Sequence, residues 1–359
     1  MDPPAFLPFG QGGMRSGHPS LIDFIETAYD LEVDDEDWLP TLIESGLPFL
    51  DHGLGVYAIT CRRPSEPGPL EIDQLHLSAA DPRFARGIDA LQERTDMALL
   101  WPITRPGPPK TLSEVTADHS PAAFRLIMQH FDFANDGLGI NAFDPDGRGI
   151  FLISALPRVM SLSDKARERW QMIAAHFGAG YRLRRALREQ AALGGPDPEL
   201  PYGAEVVIDP TGFRVTEALG SAKSASAREA LRDAARRIDR ARGSMRESDP
   251  AGALELWRAL VRGRWSTVDW FDSDGRRYVV AVPNTPGHDD PRGLSERELQ
   301  VVAYAFYGLT NKMIAYHLGL STGRVSGLLS SAMRKLGVQT RAQLIKRLWD
   351  FARLTKPTR

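Results

Sequence analysis

Basic, hydroxyl and amide side chains recur between residues 310 and 341 at spacings that suit contact with a polyanion. Arginine and lysine neutralise phosphate groups, whereas serine, threonine and asparagine form hydrogen bonds with phosphate oxygens or with base edges. Serine both donates and accepts, so it discriminates bases less well than arginine or asparagine does. The candidate residues, with the small and apolar positions that lie among them, are Thr310, Asn311, Lys312, Ser321, Arg324, Val325, Ser326, Gly327, Ser330, Arg334, Lys335 and Arg341.

Helix-capping signals divide the segment that carries these residues. Ser295 is followed three residues later by Glu298, and Thr340 is followed by Gln343 at the same spacing. Both pairs fit a capping box, in which each side chain hydrogen-bonds the backbone of the other residue. The predicted helices end at Tyr307, follow the cap Thr310 as far as Leu318, span 322–336 and span 341–353. The second and third helices, joined by a turn at Gly319, have the spacing of a helix-turn-helix.

The third predicted helix has an apolar face and a face of small polar residues. Its inward stripe is Val325, Leu329, Ala332 and Leu336. Its outward face is Gly323, Ser326, Gly327, Ser330 and Arg334. Each glycine weakens a helix by about 1 kcal/mol relative to alanine. Phosphate contacts from the surrounding lysines and arginines would position this helix but carry no direct sequence code.

These motifs resemble the LuxR/FixJ (GerE)-type regulators over about residues 294–350. The landmarks are "LSEREL" at 294–299, "GLTNKMIAYHL" at 308–318, "RKLGV" at 334–338 and "TRAQL" at 340–344. The resemblance implies a four-helix domain whose third helix lies in the major groove of double-stranded DNA and whose fourth helix often mediates dimerisation. It further implies a homodimer on paired half-sites and RNA polymerase as a second partner.

The sequence departs from the family pattern at two places. Met313 stands where the family usually has a glutamate. The third helix begins Arg324-Val325-Ser326-Gly327-Leu328, whereas the family usually has Thr-Val-Lys-x-His. Basic base-reading residues are therefore absent from positions 326 and 330, which favours specificity from DNA shape or from Arg324.

Charge is distributed unevenly along the 359 residues. The net charge is −2, but residues 292–359 contain 12 basic and 3 acidic residues, a net charge of +9, which leaves −11 for the remainder. An acidic body with a basic C-terminal segment predicts a polyanion partner for that segment only. The single cysteine, Cys61, excludes an internal disulfide. We find no signal-peptide pattern and no apolar stretch of about 20 residues, so we predict a cytoplasmic protein without a membrane partner.

Two stretches rich in proline, glycine and aspartate, at 193–203 and 282–293, predict linkers. The expected divisions are a tail at 1–19, a GAF-like sensory domain at 20–193, a small PAS-like module at 203–283, a linker at 284–293 and a helix-turn-helix domain at 294–354. The fold class is therefore α+β, with antiparallel-sheet modules followed by an all-α domain. The GAF and PAS resemblance is architectural and rests on no family-specific motif.

Strand and helix patterns in the body support this division. "LGVYAIT" and "LEIDQLHLS" predict strands, and three stretches with central turns predict hairpins: "DGLGINAFDPDGRGIFLISALP", "AEVVIDPTGFRVTEA" and "STVDWFDSDGRRYVVAVP". Helices are predicted from "SLIDFIETAYD" and "DEDWLPTLIESGLPFL", at 82–98, 120–132, 224–242 and 250–262, and over "SDKARERWQMIAAHFGAGYRLRRALREQAAL". The apolar spacing of that last, long helix suits packing on a sheet or on a twin helix.

Other chemistries lack the residues that they require. The acids of "LEVDDEDW" at 31–38 suit the first turn of a helix, because no receiver-type series of strand-end residues follows. The histidines have no metal-ligand spacing, and the Asp-rich turns lack the remaining calcium ligands. There is no phosphate-binding GxxxxGK[ST] loop and no readable catalytic triad. We therefore predict no enzyme, no metal and no cofactor, and the sequence does not identify the residues that would bind a ligand.

Two hypotheses from different classes follow. The first is a transcription regulator in which the N-terminal body controls a C-terminal helix-turn-helix. In an inactive state the acidic body is then expected to cover the basic segment through contacts that salt weakens. The second is a protein–protein adaptor that retains the helix-turn-helix fold without sequence-specific DNA reading, as the serine and glycine face suggests.

Overall fold

A computed structural model describes residues 19–64, 68–79, 81–94, 101–119, 121–144, 146–194, 197–284 and 294–346. The chain combines two antiparallel sheets in its N-terminal region with a group of helices at its C-terminal end, which confirms the predicted fold class. Within the described residues, no helix has the length and apolar character needed to cross a bilayer.

The first sheet has five antiparallel strands in the order β2-β1-β5-β4-β3. The strands are β1 (Val56–Arg62), β2 (Glu71–Ser78), β3 (Lys110–Thr111), β4 (Asp136–Phe143) and β5 (Arg148–Leu156). The predicted strands β1 and β2 are confirmed, as is the β4–β5 hairpin, whose register pairs Phe143 with Gly149. Strand β3 escaped prediction because two residues are too short for a periodic pattern.

Helices cover both faces of this sheet. The helices of the first region are α1 (Leu21–Ala28), α2 (Asp35–Leu50), α3 (Pro82–Arg94), α4 (Leu112–His119), α5 (Pro121–Met128) and α6 (Asp164–Ala192). Successive β1 residues enter different cores: Ala58 packs with α1, α2 and α6, whereas Ile59 packs with α3 and α5. Strand β1 is therefore buried on both faces from Val56 to Cys61, because alternate side chains of a strand point to opposite faces.

The second sheet has four antiparallel strands in the order β7-β6-β9-β8. Its strands are β6 (Val206–Asp209), β7 (Arg214–Ala218), β8 (Trp265–Phe271) and β9 (Arg277–Pro283), and its helices are α7 (Ala225–Arg242), α8 (Met245–Ser248) and α9 (Pro250–Leu256). Both predicted hairpins are present. The predicted extent of the helix 250–262 was wrong. Trp257 leaves the helical conformation with ψ 105°, and Arg262 and Gly263 have positive φ angles, so residues 257–264 form a loop.

The C-terminal helices pack into the same core as the two sheets. They are α10 (Glu296–Phe306), α11 (Asn311–Leu318), α12 (Thr322–Lys335) and α13, which begins at residue 341 and is helical to 346. One continuous cluster of buried side chains includes Ile173 of α6, Val280 of β9 and Ile314 of α11. Helix α6 therefore finds its partners within this chain, on the first sheet, α1 and α11. The predicted division into domains stays a prediction.

Candidate nucleic-acid interface

The predicted helix ends of the C-terminal segment are confirmed by their hydrogen bonds. Ser295 Oγ accepts from the Glu298 amide at 3.3 Å, and the Ser295 amide donates to Glu298 Oε2 at 2.7 Å. The same reciprocal pair joins Thr340 and Gln343, at 3.1 and 3.2 Å. These caps satisfy backbone amides that have no partner inside the helix. The predicted end of the fourth helix, at 353, lies outside the described residues.

Helices α11 and α12 form a helix-turn-helix. Thr310 caps α11 by accepting from the Met313 amide at 3.3 Å, and Ser321 caps α12 by accepting from the Arg324 amide at 3.1 Å. Between them Gly319 adopts a left-handed conformation with φ 60° and ψ 37°. Met313 is buried. Its thioether cannot replace the carboxylate or amide of a capping box, so the cap of α11 is not reciprocal.

The two faces of α12 are those that the sequence predicts. Val325, Leu329, Ala332 and Leu336 are buried, and the neighbouring Leu328 is buried as well. Gly323, Ser326, Gly327, Ser330 and Arg334 are exposed. Val325 was predicted among the DNA-contacting residues, but its side chain has 0% exposure. Because it packs inside the domain, it holds α12 in place and presents nothing to a ligand.

This combination of four capped helices, a left-handed turn and an open third helix is the arrangement that the resemblance implied. Residues 292–348 match the family model of the bacterial regulatory proteins, luxR family. The segment is a LuxR-type helix-turn-helix domain, a kind of domain that binds DNA. The matched family is one of regulators rather than of enzymes. A comparison with curated proteins found no match to the chain.

Several basic residues of the LuxR-type domain have partners within the chain. Lys312 pairs with Glu168 of α6, and Lys335 Nζ lies 2.6 Å from Glu298 Oε2. Arg341 donates to the carbonyl oxygens of Ala305, at 3.2 Å, and of Leu309. Arg341 thereby closes the C-terminal end of α10. Arginine remains charged while it does so, because carbonyl oxygens accept without removing its proton.

A polar chain links the two helices of the motif. Asn311 Nδ2 donates to Ser326 Oγ at 3.1 Å, and Asn311 Oδ1 accepts from Arg341 at 3.5 Å. The hydroxyl of Ser326 is therefore oriented from α11, although its side chain is exposed. Arg324 is exposed at the start of α12, where it can reach beyond the short serines. The predicted contacts of these residues with DNA stay predictions.

Glu298 anchors the first helix of the domain to the third. Its side chain is only 4% exposed. Burial by itself would raise the pKa of this carboxyl, but hydrogen bonds from Lys335, Ser331 and Ser295 lower it to about 2. The carboxylate is thus ionised and serves both as capping-box acid and as partner of Lys335.

Replacing Glu298 with alanine is expected to lower the free energy of unfolding by about 2 kcal/mol, because it removes a cap and leaves the Lys335 ammonium without its buried partner. Gln343→Ala is the matched control, since it breaks the second capping box at an exposed position. The control should cost about 0.5 kcal/mol in urea unfolding of the full chain. Equal losses in the two variants would show that the buried pair with Lys335 adds nothing.

A buried hydrogen-bonded cluster attaches α11 to the body. His176 of α6 has 0% exposure; its Nδ1 lies 2.9 Å from the Tyr29 hydroxyl, and its Nε2 lies 2.9 Å from the Tyr316 hydroxyl. Nε2 also lies 3.0 Å from the carbonyl oxygen of Trp257. Tyr316 donates to the Leu254 carbonyl oxygen at 2.6 Å. Since a carbonyl only accepts, the network assigns the imidazole proton to Nε2, with Nδ1 accepting from Tyr29.

The loop 257–264 holds the other side of the LuxR-type domain. The carbonyl oxygen of Gly263 accepts from Gln300 Nε2 at 3.0 Å and from the Arg297 guanidinium. The carbonyl oxygen of Leu260 lies directly against Gly319, so that a Cβ at this turn would overlap it. Only glycine fits a turn that is both left-handed and this close to another backbone.

A third contact between the body and the LuxR-type domain joins Arg182 of α6 to Tyr304 of α10 by a side-chain hydrogen bond. His317 of α11 stacks on Tyr304 of α10 with ring centroids 4.9 Å apart. Burial, aided by the nearby charge of Arg182, lowers the pKa of His317 to about 3. Arg182 of α6 is itself paired with the buried Asp144. Neutral histidine is therefore a condition of this contact, as it is at His176.

The body thus holds α10 and α11 and leaves the outward face of α12 open. Within the part of the chain that the structure describes, the expected cover by the acidic body is absent from this face. Glu168 of the body does pair with Lys312 of the domain. Sequence reasoning missed the residues that make the attachment, above all His176 and Tyr316. The usable signal was a tyrosine and a histidine side by side in α11, Tyr316 and His317.

Proposed function

We propose that the protein is a DNA-binding transcription regulator whose N-terminal body controls the C-terminal LuxR-type domain. The observation that carries the proposal is the exposed outward face of α12 in a segment that matches the luxR family. DNA would meet that face while the body holds α10 and α11 from other sides. The family match to regulators gives the adaptor hypothesis no support.

In this proposal, phosphate contacts come from Arg324 and Arg334, which are exposed. Lys312, Lys335 and Arg341 are available where their internal partners permit. Base edges meet the small face of α12, where Ser326, Gly327 and Ser330 allow close approach of the helix. Thr310, Asn311 and Ser321 lie at or beside helix N-termini, which favour phosphate oxygens. Arg324 is the side chain with the reach and geometry to discriminate guanine.

Control by the body is supported by the number of independent attachments between it and the domain. A signal that rearranges α6 or the loop 257–264 would change the surroundings of Tyr316, Gly319 or Arg297. We propose that the GAF-like part at 20–193 and the PAS-like part at 203–283 form the sensory body. A homodimer and RNA polymerase as a second partner rest on the family resemblance, and the cytoplasmic location remains a prediction made from the sequence.

The test is titration of the full chain against a random pool of double-stranded DNA at several salt concentrations, followed by sequencing of the retained DNA. About five phosphate contacts correspond to a slope of about −4.5 in log affinity against log salt. Enrichment of a paired motif is the expected result. Absence of binding even at low salt would overturn the proposal.

Arg324→Ala should weaken binding and reduce the magnitude of the salt slope by about 0.9 for each phosphate group that the variant no longer neutralises. The matched control is Arg158→Ala, which removes an exposed arginine from the body just after β5. The control should leave both affinity and slope unchanged. If both variants lose the same affinity, the contribution is general charge and Arg324 has no place at the interface.

A further inference from the structure

An apolar cavity of about 520 Å³ lies in the first region, against the face of the sheet opposite α6. Its walls include Tyr57 and Ile59 of β1, Phe84 of α3, Ile127 of α5 and Phe151 of β5. A volume of several hundred Å³ with mainly apolar walls is typical of small-molecule sites.

A polar side chain at the cavity wall is held by two hydrogen bonds to backbone carbonyl oxygens. Asn141 of β4 lines the cavity, and its Nδ2 donates to the carbonyl oxygens of Ile103, at 2.8 Å, and of Arg105, at 2.9 Å. Its Oδ1 is buried and has no hydrogen-bond partner among the described residues. Because this oxygen has almost no accessible surface, a molecule in the cavity does not reach it, and Asn141 contributes to the wall through its two fixed donations.

Part of the cavity wall belongs to the LuxR-type domain. Tyr307 and Gly308, which connect α10 to α11, line the cavity together with residues 102–108 of the body. Gly107 packs close enough that a Cβ there would lie 3.5 Å from the carbonyl oxygen of Tyr307. Gly308 has a φ of 84°, so this connection is a tight turn whose path sets the start of the helix-turn-helix. An occupant would therefore contact the body and the DNA-binding domain at once.

We propose that this cavity binds a small, largely apolar molecule, and that Tyr307 completes the site. The proposed binding site does not depend on the proposed function. Its role as the signal input of the regulator rests on that function, because a ligand alters DNA affinity only if it contacts the two states of the domain differently.

The probe for the test is N-phenyl-1-naphthylamine, a neutral apolar fluorophore with a single N–H donor. Titration into the full chain should give a saturable rise in fluorescence with one site per chain. Ala155→Leu places a larger side chain in the cavity from β5 and should weaken the affinity by about tenfold or more. Ala191→Leu, the same change at an exposed position near the end of α6, should leave it unchanged.

A second pair of variants examines the contribution of the LuxR-type domain. Tyr307→Ala should weaken probe affinity by about tenfold, whereas Met333→Ala, in α12 and outside the cavity wall, should not. Circular dichroism and thermal midpoints establish that each variant is folded. No saturable binding, or equal affinity in wild type, Ala155→Leu and Tyr307→Ala, would overturn the proposal. Probe binding that persists in a protein without DNA affinity would overturn the proposed function alone.

Discussion

Replacing Gly319 with alanine should lower the free energy of unfolding of the full chain by about 3 kcal/mol. Two costs combine at this turn. A left-handed conformation costs alanine about 1 kcal/mol, and Gly319 has a φ of 60°. In addition, the new Cβ would overlap the carbonyl oxygen of Leu260, which is backbone and cannot rotate away. Either the turn or the loop 257–264 must move, so the attachment of the DNA-binding domain is strained.

Gly337→Ala separates the two costs. Gly337 also has a left-handed φ, 68°, but no atom of the described residues would come within 4 Å of its Cβ. This variant should therefore lose only about 1 kcal/mol. Urea unfolding of both variants, followed by circular dichroism, measures the difference. If Gly319→Ala is no more destabilised than Gly337→Ala, the body does not press on the helix-turn-helix turn as described.

Acidification from pH 7.5 to pH 5 should lower the free energy of unfolding by about 2 kcal/mol through His176 alone. Burial lowers the pKa of His176 from 6.5 to about 3, although the hydrogen bond to the Trp257 carbonyl oxygen would by itself raise it. The unfolded chain then binds a proton below pH 6.5 that the folded chain does not bind. The stabilisation is complete above pH 6.5 and is lost as the pH falls from 6.5 toward 3. His317, whose pKa is lowered in the same direction, adds to the loss.

The pH effect can be assigned to its residue with two variants. His176→Gln lacks one titrating group and should reduce the change in urea midpoint between pH 7.5 and pH 5, leaving the part that comes from His317, although its stability at pH 7.5 should be lower. His130→Gln alters a histidine whose hydrogen bond to Gln129 is exposed, and it should keep the wild-type change. A wild-type pH profile in His176→Gln would mean that this imidazole is not held neutral in the folded chain.

The same cluster makes the docking of the domain sensitive to pH. Protonation of His176 would place a second N–H opposite the hydroxyl of Tyr29, whose proton already points at Nδ1. It would also introduce a charge between α6 and α11, where Tyr316 and Trp257 are both about 1% to 2% exposed. A buried unpaired charge is among the costlier features in a protein interior. Loss of docking is therefore expected in the same pH range as the loss of stability.

Local signals account for what the sequence alone determined. Each of these signals depends on residues a few positions apart: the capping boxes at Ser295 and Thr340, the hairpins and the two faces of α12. Such patterns can be recognised without knowledge of the rest of the fold. The charge division between body and C-terminal segment is likewise a property of composition. Together they were sufficient to predict the fold class and the helix-turn-helix.

Tertiary structure decided the features that depend on residues distant in the chain. Helix α9 ends at Leu256 because the following loop places Leu260 against Gly319. The periodicity of the sequence could not reveal that this contact replaces a longer helix. His176 meets Tyr316 across 140 residues. The cavity arises where β1, β4 and α3 meet the α10–α11 turn, and its position depends on the packing of all four. Burial, partner choice and empty space are properties of the assembled core, so only the folded chain shows how the body and the DNA-binding domain are joined.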